Sequence, residues 1–111
     1  MAKKSDTVLR AITNDGAFRV IVARTTETVR GAIASQHGSG MTARHFGDLI
    51  TGSVLFRETM APQLRVQTVV RGAGGKGSLV ADSHPSGMTR GLIQAPKDGA
   101  DLEVAEGMLQ L

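Results

Sequence analysis

The sequence predicts an α+β fold in which two principal helices, about 25–37 and 41–57, accompany a mixed, mostly antiparallel sheet. Three observations lead there. Segments at 17–24, 64–71 and 88–94 show a two-residue apolar period or strand composition. Two others repeat their apolar residues at helical spacing, and glycine-bearing turn signals separate them.

Residues 7–12 offer a few apolar positions before Asn14-Asp15-Gly16, a turn signal whose glycine can adopt the positive φ that other residues resist. In the strand expected over 17–24, Phe18, Val20 and Val22 alternate with Arg19 and Ile21, a period of two with β-branched enrichment. Thr25 or Thr26 suits the N-cap of the first helix, and Glu27 suits the positive end of its dipole. Val29, Ile33 and Gln36 share one face, and His37-Gly38 marks the C-terminal end, with Gly38 expected in the left-handed conformation. Gly31 inside the helix weakens it by roughly 1 kcal/mol relative to alanine.

The second helix places Phe46, Leu49, Ile50 and Val54 at helical spacing, and Leu55 and Phe56 widen the apolar arc beyond one stripe. A helix that apolar is packed on two sides or exposes adhesive surface. Phe56 and Met60, where the arc ends, are therefore the candidate binding residues. Pro62 ends the helical stretch, because proline disfavours the helical conformation in the residue before it. Strands are then expected at 64–71, 78–82 and 88–94. Leu102, Val104, Leu109 and Leu111 read as further sheet material, and the apolar ending at 108–111 suggests a domain cut short.

With 111 residues, 41% of them hydrophobic, the chain can bury one modest core. That core must be aliphatic, since Phe18, Phe46 and Phe56 are the only aromatic residues. The net charge of +3 is spread along the chain instead of forming a basic stripe with aromatic platforms, so specific nucleic-acid binding is not expected. An RNA- or ribosome-associated module remains the alternative that the positive charge favours. No apolar run approaches the roughly 20 residues of a membrane span, and no secretory segment follows Met1, so a cytoplasmic location is expected. The absence of cysteine excludes disulfides and thiolate metal sites within this chain.

The pattern Gly72-x-Gly74-x-x-Gly77 imitates a dinucleotide fingerprint, but a site of that kind needs a helix directly after it, and 78–82 has strand character. The first glycine also stands at the wrong spacing for a P-loop, and Lys76 is followed by glycine instead of Ser or Thr. His37, His45, Asp48 and His84 are the residues a metal could recruit, with His45 and Asp48 one helical turn apart. They are read as exposed polar residues, because no further ligands are fixed. Ser53 and Ser78 sit in no nucleophile elbow and no paired carboxylates stand out, so no catalytic, cofactor or metal residues are assigned and no enzyme is expected. The five methionines, Met41, Met60 and Met88 among them, suit either core filling or a promiscuous binding surface.

An ordered string of segments resembles one family. Asp15-Gly16-Ala17-Phe18-Arg19-Val20, Thr25-Thr26-Glu27, residues 32–37, Phe46-Gly47-Asp48-Leu49-Ile50-Thr51, the glycine turn at 71–77, Leu79-Val80-Ala81-Asp82 and Arg90-Gly91-Leu92-Ile93 are similar to the N-terminal part of the 33 kDa chaperonin, the redox-regulated heat-shock holdase. The family's turn commonly reads Gly-Asp-Gly-Pro-x-Gly, and this chain lacks its Asp and Pro. The resemblance covers roughly residues 6–96 and implies that 1–111 is the N-terminal part of a longer chaperone core domain. It further implies a cytoplasmic, ATP-independent homodimer that binds unfolded polypeptides under oxidative or heat stress. The family's zinc is held by four cysteines of a C-terminal module, whose oxidation is the switch. Those cysteines are absent here, so neither zinc nor redox control is expected of this chain itself.

Overall fold

The computed structural model describes residues 5–104. Strands β1 (Thr7–Ile12) and β2 (Arg19–Arg24) pair antiparallel with Leu9 opposite Val22 and Ile12 opposite Arg19. Their connection is built by Thr13 and Asp15. The Thr13 carbonyl accepts from Gly16 N–H at 2.9 Å, the Asp15 carboxylate accepts from Ala17 N–H at 3.0 Å, and Gly16 has the expected positive φ of 73°.

Helices α1 (Thr26–Ser35) and α2 (Gly40–Glu58) fall where their apolar spacing put them. Their caps differ from expectation. Thr25 occupies the α1 N-cap without a side-chain capping bond; its hydroxyl instead meets that of Thr51 on α2 at 2.7 Å. The orphan amides are satisfied from far along the chain, Asp6 accepting from Glu27 N–H at 3.1 Å and Thr28 N–H at 2.6 Å. At the other end Gly38 N–H reaches the Ile33 carbonyl at 3.0 Å and His37 N–H the Ala34 carbonyl at 3.2 Å. In this Schellman closure the left-handed residue is His37, with φ 54°, and not Gly38. Gly38 instead sits close to β5: a Cβ there would lie 3.0 Å from Ile93 Cδ1, a tight contact that the end of the Ile93 side chain would have to yield to.

Strands β3 (Val66–Arg71), β4 (Ser78–Ser83) and β5 (Thr89–Gln94) form an antiparallel sheet in the order β3-β4-β5. The glycine-rich segment between β3 and β4 closes as a turn, with a 3₁₀ turn at Ala73–Gly75 and positive φ at Gly74, Gly75 and Gly77. A strand and not a helix follows it, which removes the dinucleotide reading.

Helix α2 lies across this sheet, and its buried line runs Thr42, Phe46, Gly47, Ile50, Ser53, Arg57. Leu49 packs at the margin of the core and Val54 is half-buried, so the arc expected from the apolar spacing is rotated toward Ser53 and Arg57. Phe46, Ile50, Leu79 and Leu102 are the fully buried large apolar side chains. Each such burial is worth about 1.5–3 kcal/mol against about 1 kcal/mol for a helix cap, so apolar packing dominates the stability. Gly91 admits the Phe46 ring, for a Cβ there would stand 2.5 Å from Cε1.

Leu102 is not sheet material. It plugs the core from an irregular segment that is fastened to the start of α2. Asp101 accepts from Met41 N–H at 3.4 Å and from the Thr42 hydroxyl at 3.1 Å, and the Thr42 hydroxyl accepts from Leu102 N–H at 2.9 Å. Gly40, with φ 59°, leaves space for the Asp101 carboxylate, whose oxygen would be 2.9 Å from any Cβ. Val104 is likewise outside any strand, and the expectations for Leu109 and Leu111 lie outside the described residues.

Candidate functional site

The β1–β2 hairpin carries apolar residues on both faces, and only one of them meets the body of the protein. Register places Val8, Arg10, Ile12, Arg19, Ile21 and Ala23 on one side. That side turns toward α2 along β2, where Arg10 pairs with Glu58 at 3.1 Å and Ile21 and Ala23 are half-buried, while Ile12 at the turn end stays 66% exposed. The opposite side presents Leu9, Ala11, Val20 and Val22 to solvent. Leu9 is 68% exposed, Val20 54% and Val22 57%, and Phe18, next in the same alternation, is 71% exposed. The two-residue period places Phe18, Val20 and Val22 on one side of the strand, and that side is the exposed one. Scattered exposed apolar residues need no explanation, but a contiguous face of them marks a contact surface.

Phe56 is half-buried and Met60 is 40% exposed at the end of α2. The buried Arg57 organises this corner. Its guanidinium donates to the Ala61 carbonyl at 2.9 Å, the Pro62 carbonyl at 3.3 Å and the Leu64 carbonyl at 2.8 Å, holding Met60 and the exposed Leu64 on a fixed loop. The Arg10–Glu58 pair ties the α2-facing side of the hairpin to the same end of α2, so the exposed apolar side of the hairpin faces away from it. Residues 20–23 are uninterruptedly apolar, so β2 is apolar on both sides. A strand apolar on both sides requires two partners, whereas alternation alone accounts for one.

An open groove of about 700 Å³ runs between α1 and α2, lined by Val29, Ile33, Ala43, Arg44 and Gly47 among others. It contains no nucleophile and base in contact. Ser53 is fully buried, and the Ser78 hydroxyl donates to Gln94 at 2.7 Å. His84 Nδ1 meets the Ser86 hydroxyl at 2.9 Å and accepts from Ser86 N–H at 3.2 Å, a local turn contact on the exposed surface. Among the described residues no three His, Asp or Glu side chains converge as metal ligands, so His37, His45, Asp48 and His84 do not form one site. No helix among the described residues is long and apolar enough to cross a membrane.

Three aspartates are held below their ordinary pKa by hydrogen bonds to the ionised form. Thr28 acts on Asp6, Thr13 on Asp15 and Thr42 on Asp101, each hydroxyl being the leading cause and backbone amides adding to it. These groups fasten turns and helix ends. The lowering at these three groups reports structure, not catalysis.

Comparison with known proteins agrees with this picture. Proteins named 33 kDa chaperonin from Listeria welshimeri and from Desulforamulus reducens are each 29% identical over 92 residues, covering 83% of this chain and 31% of the relative. One of the same name from Bacillus pumilus is 26% identical over 97 residues, covering 87% of this chain and 33% of the relative. The chain thus spans about a third of the length of the curated relatives it matches. No solved structure matches it. Residues 6–111 match the family described as Hsp33 protein, and the chain belongs to that family.

Proposed function

We propose that this chain is the N-terminal part of a chaperone core and acts as an ATP-independent holdase, binding unfolded or misfolded polypeptides under heat or oxidative stress. The bare apolar face of the β1–β2 hairpin is the observation that carries this reading. A holdase must offer apolar area to sequences it has not met before, and it needs no reactive centre. The exposed face supplies such area at Leu9, Phe18, Val20 and Val22, and the end of α2 offers a second, separate patch at Phe56 and Met60. Catalysis has no part in the proposal.

The zinc switch of the family does not fit the residues present. Without a cysteine there is no thiolate to hold zinc or to be oxidised, so redox control belongs to other parts of the relatives and not to this chain. A cytoplasmic homodimer is the proposed state of the whole protein.

Light scattering from a chemically unfolded client tests the reading. Leu9→Gln together with Val22→Gln is expected to lower suppression of aggregation at least severalfold, and Phe56→Ser with Met60→Gln to lower it less, both variants keeping the wild-type circular dichroism. Suppression should persist or strengthen in high salt, whereas phosphate binding by the alternative RNA-associated module would fall steeply. Unchanged suppression in folded Leu9/Val22 variants would remove the hairpin from the site.

A further inference from the structure

We propose that the outer edge of β1 receives an extended segment of non-native polypeptide as a third strand of the hairpin. This rests on the holdase reading above and states how a client would be held. The hydrogen-bond pattern sets which groups are available. Thr13 N–H donates to the Phe18 carbonyl at 2.9 Å, so the bonded pairs of the ladder, which alternate along it, are Ala11 with Val20, Leu9 with Val22 and Thr7 with Arg24. The N–H and C=O groups of Val8, Arg10 and Ile12 consequently point away from β2. Among the described residues no hydrogen bond reaches them. It is β2 that lies beside α2, leaving β1 as the far edge.

Two further observations select this edge and its occupant. The β5 edge is partly engaged, since Ile93 N–H donates to Gln36 Oε1 at 3.2 Å and α1 packs beside it. The β3 edge borders a sheet face crossed by charge, with Asp82 between Arg65 at 3.0 Å and Arg90 at 3.9 Å. At β1 the adjoining face is apolar, so alternate side chains of an added strand would continue the surface of Leu9, Ala11, Val20 and Val22. Main-chain bonds ask nothing of the client's sequence, which is what breadth of binding requires. The hairpin carries Arg10, Arg19 and Arg24 against Asp15 alone, so the favoured segment alternates apolar residues with neutral or acidic ones. A two-stranded ribbon is itself marginal, and a third strand stabilises it.

The test uses the 111-residue chain and a short fluorescent peptide that alternates valine with threonine between terminal glutamates. Amide exchange at Val8, Arg10 and Ile12 is expected to slow at least about tenfold on binding, and Ile12→Pro to weaken the peptide about five- to tenfold by deleting one donor. N-methylation of alternate peptide amides should abolish binding in one register and spare it in the other. If client aggregation is suppressed while those three amides exchange unchanged and the methylated peptides bind alike, strand addition is wrong and the holdase reading survives. No suppression by the wild-type chain would instead overturn the holdase reading. Concentration-dependent protection of the same amides without peptide would show a second copy on the edge, which also overturns the proposal.

Discussion

The hairpin and the three-stranded sheet start from the same material and end differently. Both are antiparallel and rich in β-branched residues, and α2 covers one side of each, burying Leu79, Ala81 and Ser83 of the sheet. The sheet's far side sets Val69 and Leu92 between the polar rows Gln67-Asp82-Arg90 and Arg71-Ser78-Gln94, whereas the hairpin's far side is apolar at Leu9, Ala11, Val20 and Val22. The opposite side keeps Leu9, Val20 and Val22 in water. Alternation assigns residues to faces; it does not supply the layer that covers a face.

The strongest way to break this contrast is at the covered sheet. Phe46→Ala removes a fully buried ring that rests on Gly91 and should lower unfolding free energy by about 3–5 kcal/mol in urea titration. The fastening of Leu102 comes next. Thr42→Val leaves the Leu102 N–H buried without its acceptor, for an expected loss of about 1–3 kcal/mol in the same measurement.

Acid should act through the caps. Asp6 and Asp101 have depressed folded-state pKa values, so their stabilisation is fully present above the unfolded aspartate value of roughly 4 and is lost as pH falls through the lower folded value. Thermal midpoints measured from neutral pH downward should hold steady and then drop below about pH 4, and Thr42→Val should reduce the Asp101 share of that drop. Smallest of all is the hairpin face. Val20→Thr should change stability by less than about 0.5 kcal/mol, because an exposed residue loses little on replacement, while still weakening client suppression. A large stability loss there would mean that the face is covered after all.

Much of the fold was legible in local pattern. The helices at Phe46–Ile50 and Val29–Ile33, the turn at Gly16 and the strand after the glycine segment all follow from spacing and turn chemistry within a few residues. Three features were not. Asp6 and Asp101 cap helices that begin about 20 and 60 residues away in sequence, Leu102 fills a core it reaches only after the chain has returned to α2, and Arg57 is buried because three carbonyls of the following loop surround it. The candidate site divides the same way: Phe56 and Met60 were visible as the end of a wide apolar arc, but the larger exposed surface on β1 and β2 was not.

By itself the sequence determined the alternation and helical spacing, the turns, the aliphatic core and the lack of any thiolate chemistry, because each depends on neighbouring residues or on composition. Tertiary structure alone decided which apolar face is buried and which stays exposed. Burial is a property of what lies opposite a residue in space, and the chain folds α2 over one sheet while leaving one side of the hairpin without a partner among the described residues.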